Sequence, residues 1–108
     1  MEEIKAENYV NKRSNMFQKR IDERDAVAIR FGNNLKMLRI VNNETFENLA
    51  RLFKLDKCTM SLCEHGLVMP PLSTIERLAR YYDVSVDTLM HCDSKKLGKM
   101  IKRRRMIN

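Results

Sequence analysis

The chain has 108 residues, which is enough for one domain with a modest hydrophobic core. Three glycines and two prolines interrupt it rarely, and this composition favours an all-α fold. The formal net charge is +7. Most of this excess of positive charge lies at the C-terminal end, because residues 93–108 hold seven basic groups and one acidic group.

Several classes of protein are disfavoured by what the sequence lacks. Apolar runs are short and the N-terminus is acidic and polar, so neither a transmembrane helix nor a secretory signal is expected. The three cysteines form no CxxC pair, which argues against a disulfide framework or a zinc site and favours the reducing cytoplasm. No metal and no cofactor is predicted, and the absence of a nucleophile motif or a glycine-rich phosphate loop indicates that the chain is not an enzyme.

The first elements in chain order are a charged segment and a core helix. Residues 1–24 carry dense mixed charge with sparse apolar positions, which predicts an N-terminal helical extension. The first core helix is predicted from Asp25 to a stop at Asn42-Asn43, which tolerates a left-handed backbone. Its inner face is predicted to consist of Val27, Phe31, Leu35 and Leu38.

Two short helices are predicted to meet at a tight turn. The second helix begins at Thr45, whose hydroxyl can cap free amides, and ends near Phe53. Asp56 is a strong N-cap for a third helix, and Gly66 can end it because a positive φ costs glycine little. The inward side chains of the two helices are predicted to be Leu49, Ala50, Phe53, Met60 and Cys63.

Two more helices and a basic tail complete the predicted order. Pro70-Pro71 can open a fourth helix, and Ser85 can cap a fifth. Their inward residues are predicted to be Leu72, Ile75, Leu78, Ala79 and Tyr82 in the fourth helix and Val86, Leu89 and Met90 in the fifth. Residues 25–92 are therefore predicted as the domain and residues 93–108 as a basic tail, either an added helix or a frayed arm.

The stretch from Thr45 to Gly66, TFENLARLFKLDKCTMSLCEHG, resembles the lambda-repressor-like, Xre/Cro-type helix-turn-helix family. The resemblance extends over Gly32 to Met90 and includes Glu64-x-Gly66 and the closing Val84-Ser85-Val86-Asp87-x-x-Leu89. It implies a five-helix fold whose third helix, residues 56–65, enters the major groove of DNA. It also implies a largely buried ion pair between Arg39 and Glu64.

The function that this resemblance implies is a sequence-specific, double-stranded DNA-binding transcriptional regulator acting as a dimeric repressor. Lys57 and Thr59 are favoured for base or phosphate contact, whereas Asp56 is expected to act first as a cap. The basic tail is either a solvated end or an arm that contacts the DNA backbone. The DNA-binding candidates are Thr45, Phe46, Asp56, Lys57, Cys58, Thr59, Leu62, Lys102, Arg103, Arg104 and Arg105.

Some positions depart from the family pattern and favour an alternative function. Apolar residues stand where the family usually has polar ones, and such a patch is typical of a protein interface. The alternative is a protein-binding module, antitoxin-like or an anti-regulator subunit, with a surface formed by Phe46, Leu62, Leu67, Val68 and Met69. Lys54 and Asp83 stand where glycine is common, at an expected cost of no more than ~1 kcal/mol each.

A homodimer needs an interface, and three helices offer apolar positions for it. The candidates are the fifth helix, the tail helix and the N-terminal helix. Their proposed contact residues are Leu97, Met100 and Ile101 in the tail and Phe17 and Ile21 near the N-terminus.

Overall fold

The structure of the chain, a computed structural model, describes residues 25–107, with side chains to residue 106. The predicted N-terminal extension, including Phe17 and Ile21, lies outside the described residues. The described part is all-helical and contains no strand, as the composition predicted. Its helices are α1 (Ala26–Val41), α2 (Phe46–Leu52), α3 (Lys57–Glu64), α4 (Leu72–Tyr81), α5 (Val86–His91) and α6 (Ser94–Ile107).

Side-chain caps fix where most of these helices begin. The first amides of a helix have no partner within it, and a short polar side chain at the N-cap can accept one of them. Thr45 accepts from the amide of Asn48 at α2, and Ser85 accepts from the amide of Thr88 at α5. Asp25 does the same for α1, whereas α4 begins after Pro71 without a side-chain cap.

The ends of α1 to α4 share one geometry. Each is followed by a residue with positive φ: Asn43 at 56°, Lys54 at 55°, Gly66 at 72° and Asp83 at 55°. The amide of the next residue then donates to a carbonyl five positions back, as Leu67 does to Leu62 at 2.9 Å. This arrangement satisfies carbonyls that the helix leaves open. The predicted stops at Asn43 and Gly66 are confirmed.

The core is built around the inner face of α1. Phe31, Leu35 and Leu38 are buried there, as predicted. Each of the other helices contributes at least one fully buried side chain to the same cluster, and these are Leu49, Met60, Leu78, Leu89 and Leu97. Two predicted core positions differ, because Val27 is only half-buried and Leu72, in the first turn of α4, is 63% exposed.

The C-terminal segment is an added helix rather than a frayed arm. Leu97 and Ile101 of α6 are buried in the common core, and Met100 packs against it. Gly98 lies so close to α1 that a Cβ there would be 3.0 Å from the sulfur of Met37. The core therefore extends beyond residue 92, where the domain was predicted to end. Leu97 and Ile101 are buried within the monomer, so of the three proposed tail contacts only Met100 is partly exposed. The dimer itself stays a prediction.

Two polar side chains of α1, one buried and one exposed, hold the C-terminal end of α5. The Nδ2 of Asn34 donates to the carbonyls of Leu89 and Cys92, each at 2.9 Å, and Arg30 donates to the carbonyl of His91 at 2.9 Å. Asn34 is fully buried, and within the described part of the chain its Oδ1 has no hydrogen-bond partner. The last carbonyls of a short helix have no partner within it, and here side chains of another helix donate to them.

Candidate nucleic-acid interface

The turn between α2 and α3 presents one end of α3 to solvent. Lys57 and Cys58 begin this helix and are exposed, while Met60 and Cys63 face the core. The other end of α3 is fixed against α1, because a Cβ on Gly32 would lie 2.8 Å from the carbonyl oxygen of Glu64. Glycine is required at this close approach of two backbones. The exposed N-terminal end of α3 therefore belongs to a helix whose C-terminal end is fixed on α1.

Asp56 caps this exposed end with both carboxylate oxygens. Its Oδ1 accepts from the amide of Thr59 at 2.8 Å, and its Oδ2 accepts from the Thr59 hydroxyl at 3.0 Å. These hydrogen bonds hold the pKa of Asp56 below its usual value. The expectation that Asp56 acts as a cap is confirmed. Thr59, a favoured DNA contact, already donates its hydroxyl proton to this cap and is half-buried.

Lys57 is engaged across the turn. Its Nζ lies 3.0 Å from Oε1 of Glu47 in α2, and the side chains are 69% and 56% exposed, respectively. The hydrogen bond from Lys57 lowers the pKa of Glu47. The residue that the sequence favours for DNA contact is accessible, but a neighbouring carboxylate partly neutralises its charge.

The ion pair predicted between Arg39 and Glu64 is present in the structure. The guanidinium donates through Nε to Oε2 at 2.7 Å and through Nη2 to Oε1 at 3.1 Å. The Arg39 and Glu64 side chains are 13% and 3% exposed. The hydrogen bond to Glu64 raises the pKa of Arg39. A two-point contact of this kind fixes the end of α3 in angle as well as in position.

Phe46 does not lie on the exposed surface as a DNA contact would. It is half-buried and packs against the core, and the guanidinium carbon of Arg39 lies 4.6 Å from the centre of its ring. Thr45 is exposed, but its hydroxyl oxygen accepts from the amide of Asn48 at 3.1 Å. Both side chains therefore stabilise the beginning of α2.

Behind the helix-turn-helix lies a second hydrogen-bond network, which the sequence does not indicate. The carboxylate of Glu44 accepts hydrogen bonds from the hydroxyls of Tyr81 and, at 2.7 Å, Tyr82, and Arg39 donates to the Glu44 carbonyl at 3.1 Å. Burial, followed by the bond to Glu44, raises the pKa of Tyr82. The network joins the loop before α2 to the end of α4. No local spacing indicates it, because 38 positions separate Glu44 from Tyr82.

The apolar patch predicted as a protein-binding surface is smaller than expected. Leu62 and Val68 are exposed by 39% and 38%. Phe46 and Met69 instead pack against the core, and Leu67 is half-buried. The exposed part of the patch is thus reduced mainly to two aliphatic side chains.

The four basic residues predicted as a DNA arm divide into two pairs. Arg104 donates to the carbonyl of Asp83 at 2.7 Å, and Arg105 donates to the carbonyl of Val41 at 2.7 Å and to the side-chain oxygen of Asn42. These acceptors lie at the end of α1 and just beyond the end of α4. Lys102 and Arg103 are exposed. A contact with DNA is therefore open to the second pair without breaking bonds within the chain.

Within residues 25–107, no cluster of three or more His, Cys, Asp or Glu residues has a metal-binding arrangement. The cysteines at positions 58, 63 and 92 are free thiols, and burial raises the pKa of Cys63 to about 11. None of the described helices combines the length and hydropathy needed to cross a membrane.

Comparison of the chain with protein-family models, with curated proteins and with solved structures gave no match. Functional assignment therefore depends on the residues and geometry of the chain itself.

Proposed function

We propose that the chain is a sequence-specific, double-stranded DNA-binding transcriptional regulator of the lambda-repressor-like type, acting as a dimeric repressor. The observation that carries this proposal is the exposed, capped N-terminal end of α3, a helix whose other end is held against α1. An α-helix fits the major groove of B-DNA, where base edges distinguish all four base pairs. In helix-turn-helix proteins, the N-terminal residues of the second helix make these contacts.

In this proposal the residues at the exposed end of α3 have different roles. Lys57 donates to a guanine edge or to a phosphate. Cys58 and Leu62 offer apolar contact of the kind that a thymine methyl group accepts. Asp56 and Thr59 keep the first turn of α3 intact, so that these side chains are presented in one orientation.

The proposed dimer places two copies of α3 in successive major grooves, about 34–36 Å apart. Such a dimer recognises a site with two-fold symmetry. Burial of Leu97 and Ile101 leaves the dimer contact to other surfaces. The N-terminal candidate lies outside the described residues, so α5 is the candidate helix that remains besides α6.

The test is selection of bound sequences from a random DNA pool, followed by titration of the selected site. We expect an enriched two-fold symmetric sequence, for which Lys57→Ala lowers affinity by about tenfold or more. Arg80→Ala is the matched control, because it removes one exposed positive charge from α4. The proposal fails when no sequence is enriched, or when Lys57→Ala binds the selected site as tightly as Arg80→Ala.

A further inference from the structure

The solvent-facing side of α6 carries a concentrated positive charge. The helix contains seven basic residues and no acidic one. Arg104 and Arg105 turn back to acceptors near the ends of α4 and α1, and the other five cations are exposed. We call these five residues the outer face of α6: Lys95, Lys96, Lys99, Lys102 and Arg103.

The outer face has a charge density close to that of duplex DNA. A helix rises about 1.5 Å per residue, so five cations between positions 95 and 103 occupy about 12 Å, or about one charge per 2.4 Å. Duplex DNA carries about one negative charge per 1.7 Å of its axis. Because Leu97 and Ile101 fix α6 in the core, these cations lie on a rigid support.

The outer face lies on a different side of the molecule from α3. Gly32 and Arg39 of α1 contact the end of α3, whereas Met37 contacts Gly98 of α6 and Val41 accepts from Arg105. With about 3.6 residues per turn, Met37 is rotated about 140–160° around α1 from Gly32 and Arg39. Helices α3 and α6 therefore occupy nearly opposite sides of α1.

The chemistry of the outer face favours duplex DNA over other polyanions. Single-stranded nucleic acids are held by aromatic side chains that stack on bases, and the outer face contains none. A helix that lies on a membrane inserts its apolar face into lipid, but Leu97 and Ile101 of α6 are already buried in protein. Contact with a phosphate backbone requires only accessible cations.

We propose that the outer face of α6 binds the phosphate backbone of a second duplex without reading its sequence. One protein then holds two DNA segments, one at α3 and one at α6. The inference rests on the proposed function for the first segment, while the contact at α6 is measured independently of it.

The first experiment is a salt titration with a duplex of random sequence, from about 50 to 200 mM salt. For Lys96→Gln/Lys99→Gln we expect a slope of log affinity against log salt that is shallower by about 2, since about one unit is lost per phosphate contact. Arg77→Gln/Arg80→Gln removes two charges from α4 and should keep the wild-type slope. Circular dichroism checks that both variants are folded. Equal slopes for the two double variants would overturn the proposal.

The second experiment is a capture assay for two duplexes. The selected site is immobilised, the protein is bound to it, and a labelled duplex of random sequence is added. We expect wild type and Arg77→Gln/Arg80→Gln to retain the labelled duplex, and Lys96→Gln/Lys99→Gln to stay on the immobilised site without retaining it. Equal retention by both variants, or none by wild type, contradicts the inference. Failure of the proposed function is distinguished by the absence of a selected site, and the salt titration does not depend on that site.

Discussion

At the scale of single residues, the proposed interface depends on how two carboxylates are used. Asp56 and Glu47 both lie near the exposed end of α3, where a negative charge repels phosphate. Asp56 offsets this by holding the first turn of the helix through Thr59. Glu47 instead pairs with Lys57, so in the proposed complex it would compete with DNA for the same ammonium group.

Removal of that competition should strengthen DNA binding. For Glu47→Gln we expect about two- to fivefold higher affinity for DNA, which is the range that an exposed ion pair represents. The gain should decrease as salt is raised. Glu76→Gln, which removes an exposed carboxylate from α4, is the control for net charge. An equal gain in both variants, measured by fluorescence anisotropy, would show that the pair with Lys57 has no specific effect.

The cap at Asp56 should make α3 sensitive to acid. Its pKa is lowered in the folded state, so its contribution to stability is complete above the ordinary aspartate pKa of about 3.9 and is lost as pH falls through the lowered value. We expect Asp56→Ala to lower the melting temperature by a few degrees at neutral pH and by less in acid. Thermal unfolding at several pH values measures this, and a difference that stays constant down to acid pH contradicts it.

At the scale of helices, local chemistry made the boundaries predictable and left some orientations open. Thr45, Asp56 and Ser85 act within three residues of themselves, so sequence alone indicates them. The inward position of Leu72 was predicted from helical spacing, but its side chain lies in the first turn of α4 and faces solvent. The bonds from Tyr81 and Tyr82 to Glu44 depend on how α4 approaches the loop before α2, which no spacing encodes.

The contact between α1 and α3 should be the most sensitive one in the helix-turn-helix. Glu64→Ala leaves the largely buried guanidinium of Arg39 without its carboxylate, at an expected cost of about 3–5 kcal/mol. Glu64→Gln keeps the shape and one acceptor, so it should cost less. Chemical denaturation of the two variants measures the difference. A denaturation curve for Glu64→Ala that matches wild type would show that the pair does not fix α3.

At the scale of the whole molecule, the part that sequence left open was the last helix. The pattern of residues 93–108 showed an apolar face with a basic rim, which is equally typical of a helix on a core and of a frayed arm. Which of the two forms depends on whether α1 offers a surface that fits the segment. It does, because Gly98 has no side chain and lies close against Met37. For the proposed DNA interface the reverse holds, because the motif indicates its residues while the partner lies outside the chain.

The role of α6 in the core gives a direct expectation for stability. Leu97→Ala should reduce the free energy of unfolding by about 2–5 kcal/mol, because it leaves a cavity at a fully buried site. Met106→Ala is the control within the same helix, since that side chain is 86% exposed. Urea denaturation distinguishes them, and a loss below about 1 kcal/mol for Leu97→Ala would contradict a common core. Deletion of residues 94–108 would remove this packing too, so charge variants test the proposed DNA contact more cleanly.

The two turned-back arginines of α6 also determine which substitutions the helix tolerates. Arg105 uses two nitrogens for two acceptors at the end of α1, which the single nitrogen of lysine cannot reproduce in the same geometry. In a library with α6 randomised and sorted for folding alone, arginine should persist at position 105 while Lys99 and Arg103 drift to uncharged polar residues. Sorting the same library for retention on DNA should restore positive charge at positions 99 and 103. The two sorts would thereby separate, within one helix, the cations needed for folding from those needed for binding.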